Sequence, residues 1–268
     1  MMKLFKGRSD MTHRMKKKPI KEGYKFFALC DAQTGFCYVT FPDGLKDKSG
    51  MIWEKVVNLV CFLPECGKRK YIAVMDNYFT QARTIVEVAR RGVATVGTTC
   101  MSIFKEGELE DSRFNTLYCK DHPGNFRMFC SLDNNIVKLV SNIHSGNVDE
   151  SVMKARKKPR LNNVNCVTCK TIWKESSVAN VKIPQIINNY NYWMLGCDLC
   201  DQMIAYYRAK VRCQRTWMPI MFHCLDVLCV NSYVLYQQAL LADDRVTNKS
   251  RIVDHKTFTK TLIDSLIN

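Results

Sequence analysis

The chain has 268 residues, 47% of them hydrophobic, which is enough for one large core or two modest ones and excludes disorder throughout. Its 40 basic and 25 acidic residues give a formal net charge of +15, which favours a polyanionic partner. The basic N-terminus has no signal-peptide pattern, and the most apolar stretch, Trp217 to Leu241, contains His223 and Asp226. That stretch predicts a buried helix, so we expect no membrane span. Because no secretion signal is present, we expect the cysteines to be reduced.

The first hundred residues alternate between strand and helix patterns. Tyr24 to Cys30 is an unbroken apolar run followed by turn residues, which predicts a buried strand with Phe36 to Phe41 as its hairpin partner. The pattern continues with a helix between Ser49 and Pro64, a strand at Tyr71 to Met75, a helix at Ala82 to Ala89 and a strand from Val93. This alternation predicts an α/β core with a mixed sheet.

Composition divides the chain into three segments. Residues 1–100 form the first part of the α/β core, residues 101–184 are polar with short β-like pieces, and residues 185–268 are mainly helical. We predict that the middle segment is a mostly β subdomain inserted into the core. Within it, Lys154 to Arg160 is a basic loop, in which Lys157 and Lys158 are candidate phosphate contacts. A nuclear-import patch or a merely solvated surface are the alternatives.

Four aspartates are candidates for metal-assisted phosphoryl transfer. Asp31 and Asp76 each follow a predicted buried strand, and Asp198 and Asp201 stand near the start of a later helix, where their three-residue spacing puts them on one face. Nucleases that use two metal ions hold them about 4 Å apart with such carboxylates, and oxygen ligands suit Mg²⁺. Each residue also has a structural alternative, as a turn aspartate or as compensation for a helix dipole.

The sequence around these aspartates resembles the piggyBac-type transposases. The resemblance begins with FKGR at Phe5 and KPIKEGYKFFALCDAQTG at Lys18, and continues with MDNYFT at Met75, the family's second-aspartate signature. YNYWMLGCDLCDQMIAYYR from Tyr190 is similar to the third-aspartate block, and RTWMPIMFHCLDVLCVNSYVLY from Arg215 to the Trp-containing helix after it. The matches occur in the family's order from about Phe5 to Tyr236.

The resemblance implies a fold, an activity and roles for the four aspartates. The fold is an RNase H-like mixed sheet flanked by helices and interrupted by a mostly β insertion. Asp31, Asp76 and Asp198 match the three catalytic aspartates and Asp201 the additional one, so all four are expected to hold two Mg²⁺ ions. The activity is cut-and-paste DNA strand cleavage and transfer in the nucleus. The implied partners are transposon ends, a TTAA-type target and a second copy of the chain in a homodimer.

The sequence departs from the family pattern in two respects. The glycine pair before the third aspartate is Leu195 and Gly196 here, so one glycine is missing. The chain is also expected to lack the family's N-terminal DNA-binding region and its C-terminal Cys-rich zinc domain. A domesticated or decayed transposase that binds DNA without cutting it is therefore the alternative function.

Two further patterns concern DNA contact and zinc. Basic residues follow the third aspartate, interspersed with aromatic ones, and are candidate phosphate and stacking contacts; the alternative is a solvated helix face with core aromatics. The basic residues are Arg208, Lys210, Arg212 and Arg215, and the aromatic ones Tyr206, Tyr207 and Trp217. The Cys166/Cys169 and Cys197/Cys200 pairs have the spacing of a four-cysteine zinc site. We do not expect structural zinc, because the second pair interleaves with Asp198 and Asp201.

Overall fold

The structure is a computed structural model that describes residues 1–16, 18–44, 51–101, 117–132, 136–147, 150–161, 166–208, 215–242 and 253–267. Its strands are β1 (Met2–Leu4), β2 (Thr12–Arg14), β3 (Glu22–Cys30), β4 (Cys37–Pro42), β5 (Tyr71–Met75), β6 (Val93–Thr98), β7 (Leu117–His122), β8 (Phe126–Leu132), β9 (Ile136–Ser141), β10 (Ser151–Lys157) and β11 (Val178–Pro184). Its helices are α1 (Ile52–Cys61), α2 (Ala82–Ala89), α3 (Cys166–Trp173), α4 (Gln185–Trp193), α5 (Gly196–Tyr207), α6 (Met218–Ala242) and α7 (His255–Ile267). The mixed α/β class expected from the sequence is confirmed.

The chain divides into two compact units. The first unit contains residues Met1–Met51 and Leu195–Asn268, and the second contains Ile52–Met194. The boundaries of the three segments proposed from composition stay a prediction.

The first unit is built on a four-stranded antiparallel sheet. Strand β3 pairs with β1 and β2 through its first half and with β4 through its second half. The predicted hairpin of β3 and β4 is thus confirmed. One face of this hairpin shares a core with helices α5 and α6, formed by Cys37, Cys200, Ile204, Val227, Val230 and Val234. This packing joins residues from the beginning of the chain to residues near its end.

Helix α6 is buried on one side only, so the expectation of a buried helix is partly wrong. Asp226, Val230 and Val234 are buried, whereas Leu228 and Leu235 on the same helix are more than half exposed. Asp226 forms a buried ion pair with Lys3 of β1, which fixes α6 to the edge of the sheet. By length and composition, α6 also meets the criteria for a membrane span, as core helices of soluble proteins often do.

The second unit contains a five-stranded mixed sheet in the order β5-β6-β9-β8-β7. Strands β5 and β6 are parallel, and the other neighbours are antiparallel. Helix α2 connects β5 to β6 and buries Ile85, which its helical spacing placed on the apolar face, together with Thr84 and Val88. The aspartate after β5 therefore stands at the carboxyl end of a parallel pair, where open α/β sheets bind their ligands.

Strands β10 and β11 form a separate antiparallel ribbon in the second unit. They pair from Ser151–Pro184 to Lys157–Val178, and helix α3 packs Cys169 and Trp173 against them. The prediction of a basic loop from Lys154 to Arg160 is therefore wrong for Lys154 to Lys157. The paired backbone makes this stretch a strand, although its side chains are charged.

The imidazole of His223 is a buried titratable group in the first unit. It is 2% exposed, and its ring centroid lies 3.9 Å from that of Phe26. Burial lowers the pKa of His223 to about 4, and the positive charge of Lys3 acts in the same direction. The native state therefore holds this histidine neutral at pH values where an exposed histidine is charged.

We predict that His223 makes the native state less stable as the pH falls from about 7 to about 4. Over this range the unfolded chain takes up a proton at this position and the folded chain does not, so protonation favours unfolding. The loss should reach about 3 kcal/mol, at about 1.36 kcal/mol per pKa unit. Urea unfolding of the parent and of His223→Gln at several pH values measures it. Equal pH dependence of the two proteins would contradict the prediction.

Candidate functional site

Asp31 is the first residue of the tight turn that joins β3 to β4. Its Oδ1 accepts hydrogen bonds from the backbone N–H groups of Gln33 (3.1 Å) and Thr34 (2.8 Å) and from the Thr34 hydroxyl (2.7 Å). The turn is also closed by backbone bonds from Asp31 N–H to Phe36 and from Gly35 N–H to Asp31. The structural role expected of a turn aspartate is therefore real, and it holds the half-buried carboxylate in one orientation.

Two glycines allow the first turns of α5 to lie directly against the Asp31 turn. A Cβ atom on Gly196 would stand 2.6 Å from the carbonyl oxygen of Asp31, closer than real Cβ contacts. Gly35, at φ +74°, approaches α5 in the same way, since its Cβ would lie 3.0 Å from Leu199 and 3.1 Å from the backbone nitrogen of Cys200. The one glycine kept before the third aspartate is thus the residue that this contact requires.

Asp198 and Asp201 lie in the first two turns of α5, next to this contact. Asp198 is exposed and Asp201 is half-buried. Burial raises the pKa of Asp201, and the negative charge of Asp198 raises it further. Asp201 Oδ2 also lies 3.9 Å from the N-terminal nitrogen of Met1. The two carboxylates therefore interact as the helical spacing predicted, and a cation between them would relieve their repulsion.

Asp76 belongs to the second unit, where it is exposed directly after β5. Its Oδ1 accepts a hydrogen bond from Tyr78 N–H (3.0 Å), and its carbonyl oxygen accepts one from the Thr80 hydroxyl (2.7 Å). Gly97 of β6 makes room for this turn, since a Cβ there would stand 2.3 Å from Thr80 Oγ1. The residues of the Asp76 signature thus form a tight turn directly after β5.

Tyr190 is a neighbour of Asp76 that the sequence motifs did not select. Its hydroxyl lies 3.3 Å from the Thr98 hydroxyl at the end of β6. Burial raises the pKa of Tyr190, the Thr98 hydrogen bond opposes this, and the charge of Asp76 adds to the rise. The only signal in the sequence is an aromatic residue in the third-aspartate block, 114 positions after Asp76.

The structure therefore brings Asp31, Asp198 and Asp201 into one unit and places Asp76 in the other. Among the described residues, no three His, Cys, Asp or Glu side chains are arranged to hold a metal ion. The donor chemistry nevertheless fits Mg²⁺, because every candidate ligand is a carboxylate. Convergence of Asp76 with the other aspartates stays a prediction.

A basic cavity in the first unit includes one predicted DNA contact, Arg208. The cavity measures about 460 Å³, and its charged lining consists of Lys6, Arg14, Lys16, Lys21, Arg208 and one acid, Glu22. Five cations around one cavity favour a phosphate-bearing ligand. The sequence pattern indicated Arg208 but not the four lysine and arginine residues from the N-terminal segment, since their convergence depends on the pairing of β1 and β2 with β3.

The other predicted DNA contacts differ in their surroundings. Lys157 and Arg215 are exposed, whereas Lys158 is half-buried and donates to the carbonyl oxygen of Lys174 at 2.7 Å. Lys210 and Arg212 lie outside the described residues. The aromatic candidates are exposed rather than in the core, Tyr206 by 62%, Tyr207 by 43% and Trp217 by 51%. Exposed rings are what base stacking requires.

The four cysteines of the predicted zinc pattern lie in different units. Cys166 and Cys169 lie on α3 in the second unit, whereas Cys197 and Cys200 lie on α5 in the first. The half-buried Cys30 packs against the core that contains Cys37 and Cys200. All of these cysteines are free thiols.

We predict that Gly196→Ala destabilises the first unit by about 1 to 3 kcal/mol, because the new methyl group meets fixed backbone at Asp31 and forces α5 away from the turn. Urea unfolding followed by circular dichroism measures the loss. Leu195→Ala, at an exposed neighbouring position, is the control and should be within about 0.5 kcal/mol of the parent. An unchanged Gly196→Ala protein would show that the contact is not tight.

Comparison with known proteins identifies the family of the chain. A family model described as "Transposase IS4" matches residues 1–233. The human "PiggyBac transposable element-derived protein 3" is 22% identical over 236 residues, which are 86% of this chain and 38% of the relative. The human "Chimeric ERCC6-PGBD3 protein" is also 22% identical over 236 residues, 86% of this chain and 21% of the relative.

A solved structure has the same fold. It is described as "Cryo-EM structure of piggyBac transposase synaptic complex with hairpin DNA (SNHP)", and its match has a TM-score of 0.71 at 20% identity, covering 98% of this chain and 50% of that chain. The chain thus spans less than half the length of the human relatives and half of the solved chain. With the family model matched over residues 1–233, the chain belongs to the Transposase IS4 family, and the resemblance to piggyBac-type transposases is confirmed.

Proposed function

We propose that this chain is the catalytic part of a piggyBac-type transposase that cleaves and transfers DNA strands with divalent metal. The observation that carries the proposal is the contact of Gly196 with Asp31, which brings the first and third family aspartates into one unit. We further propose that the mixed sheets belong to an RNase H-like fold and that residues 101–184 are its β-rich insertion. The resemblance to piggyBac-type transposases supports both proposals.

The proposed metal ligands are Asp31, Asp76, Asp198 and Asp201. Two Mg²⁺ ions held there would supply charge stabilisation to the attacking and leaving oxygens of the phosphodiester. Asp31 is suited to its part because its Oδ1 accepts three hydrogen bonds from its own turn, which orients Oδ2. Asp198 projects from the exposed first turn of α5, and the half-buried Asp201 orients a ligand water or binds directly.

DNA is the proposed substrate on the basis of charge and exposed aromatic rings. The net charge of +15 and the five cations of the cavity around Arg208 supply phosphate contacts. Exposed Tyr206, Tyr207 and Trp217 supply stacking surfaces. We propose transposon ends and a TTAA-type target as the DNA, with a homodimer acting in the nucleus. The similar solved structure is a complex with hairpin DNA, which supports a DNA ligand for this fold.

The alternative is a transposase-derived protein that binds DNA without cleaving it. One observation favours it, because Leu195 stands where the family has the first glycine of the pair before the third aspartate. A nicking assay with Mg²⁺ on DNA that ends in a TTAA-type sequence separates the two functions. Metal-dependent nicking supports the enzyme. Binding with no nicking at any Mg²⁺ concentration would establish the binder.

We predict that Asp198→Asn abolishes metal-dependent cleavage, while Asp201→Asn lowers it by about 10 to 100-fold and is partly rescued by more Mg²⁺. The reason is that Asp198 takes the third catalytic position, whereas Asp201 acts one helical turn later. Cleavage rate against Mg²⁺ concentration is the measurement, and Asp264→Asn, at an exposed carboxylate on α7, is the control. Full activity in Asp198→Asn with loss in Asp201→Asn would reverse the two roles.

We also predict that DNA affinity falls steeply with salt, with log K decreasing by about 0.9 for each phosphate contact on the log-salt axis. Arg208→Ala and Lys157→Ala should each lower the slope by about one contact. Arg90→Ala, at a residue that is paired with Glu87 at 2.7 Å, should leave it unchanged. Fluorescence anisotropy with duplex DNA gives the slopes. Affinity that does not depend on salt would contradict phosphate binding.

A further inference from the structure

Cys30, Cys37, Cys197 and Cys200 form a cluster of four thiols that the proposed function does not use. Cys37 (4% exposed) and Cys200 (0%) belong to the core of the first unit, and the half-buried Cys30 packs against them. Cys197 donates a weak hydrogen bond to the carbonyl oxygen of Ala28, 3.5 Å from its sulfur. Cys30, Cys37 and Cys200 are free thiols packed in one core, which provides both partners for a disulfide without a second chain.

Within this cluster, Cys30 and Cys37 are directly opposite each other on paired strands. They are the last register pair of β3 and β4, after a register shift at Leu29. Facing residues on antiparallel strands project to the same side of the sheet, and both side chains here reach the core shared with α5 and α6. A disulfide between them therefore requires no change in strand register and no movement of either side chain to the other face of the sheet.

The hydrogen bonds around this pair identify its type. The adjacent pair is hydrogen-bonded, since Asp31 N–H donates to Phe36 O at 2.8 Å. The peptide groups of Cys37 are instead bonded to the Asn231 side chain, its N–H to Oδ1 at 2.8 Å and its carbonyl oxygen to Nδ2 at 2.9 Å. Cys30 and Cys37 thus form a non-hydrogen-bonded pair, in which Cα atoms are about 4.5 Å apart. That separation is within the range of disulfides, about 4.4 to 6.8 Å.

We propose that Cys30 and Cys37 are an oxidation site of this protein, which forms a reversible cross-strand disulfide with a low-molecular-weight disulfide as oxidant. Asn231 contributes by holding the Cys37 backbone in place. The new bond joins the two strands directly before Asp31. The site therefore places a redox-sensitive link beside a candidate metal ligand, whether or not the chain cleaves DNA.

The reaction proceeds by two exchanges. Cys30, the more exposed of the two, loses its proton to water and attacks the oxidant, so that a bond forms between the Cys30 sulfur and one oxidant sulfur while the oxidant's own S–S bond breaks. The departing half takes up a proton as a thiol. Cys37 then attacks the Cys30 sulfur of this mixed disulfide and expels the second half as another thiol. The protein loses two electrons and two protons, and the oxidant gains both.

Peptide mapping tests the proposal in the folded chain. The protein is incubated with oxidised glutathione, its remaining thiols are alkylated, and it is digested with trypsin. Both cysteines lie in one tryptic peptide, Phe26 to Lys46. We expect this peptide to be unalkylated and lighter by two hydrogen atoms, and to be alkylated twice when dithiothreitol precedes alkylation. Cleavage before Asp31 should give two fragments joined by the disulfide.

Variants identify the partner cysteine. Cys37→Ser and Cys37→Ala should each stop at a glutathione adduct on Cys30, and Cys229→Ser, at a half-buried thiol of α6, should keep the disulfide. Alkylation of both Cys30 and Cys37 under conditions that oxidise the exposed Cys61 and Cys224 would overturn the proposal. A disulfide from Cys30 to Cys197 or Cys200 would also overturn it, since the strand pairing would not then select the partner.

Discussion

The contact of Gly196 with the backbone of Asp31 is the constraint on which the candidate site of the first unit depends. A Cβ atom at position 196 would lie 2.6 Å from the carbonyl oxygen of Asp31, so only glycine allows α5 to begin this close to the neighbouring turn. Gly35 meets α5 from the turn side in the same way. Because α5 meets the Asp31 turn partly through backbone atoms, the position of the start of α5 relative to this turn does not depend on flexible side chains alone.

Polar contacts hold the rest of the first unit to the same geometry. The buried Lys3–Asp226 ion pair and the Asn231–Cys37 hydrogen bonds connect α6 to β1 and β4. Removing one partner of such a pair leaves the other buried without compensation, which costs more than the pair contributes. These contacts therefore favour one packing of α6 over the alternatives that apolar residues alone would allow.

Electrostatics separate two surfaces in a strongly basic protein. The carboxylates of Asp198 and Asp201 lie close enough for one to raise the pKa of the other. The cavity lined by Lys6, Arg14 and Arg208 collects positive charge instead. An anionic DNA backbone binds to positive charge, whereas a divalent cation binds to carboxylates. A basic composition by itself predicts only the positive surface.

The sequence by itself determined the element types of the core and the positions of the four aspartates. An apolar run such as Tyr24 to Cys30 and helical spacing such as that of Ala82, Ile85 and Val86 depend on local periodicity, so β3 and α2 were predictable. The family motifs supplied the roles that we propose for Asp31, Asp76 and Asp198. The run of basic residues from Lys154 to Lys157 wrongly predicted a loop, because this stretch pairs with β11 as a strand.

Only the tertiary structure decided which distant residues meet. The contact between the Tyr190 and Thr98 hydroxyl groups, the basic cavity around Arg208 and the Cys30–Cys37 pair beside Cys200 all depend on strand pairing and helix packing between segments far apart in the chain. A periodic pattern specifies which face of an element is buried, but not the element that covers it. That choice follows from shape and polar matching in the folded core, which a local pattern does not contain.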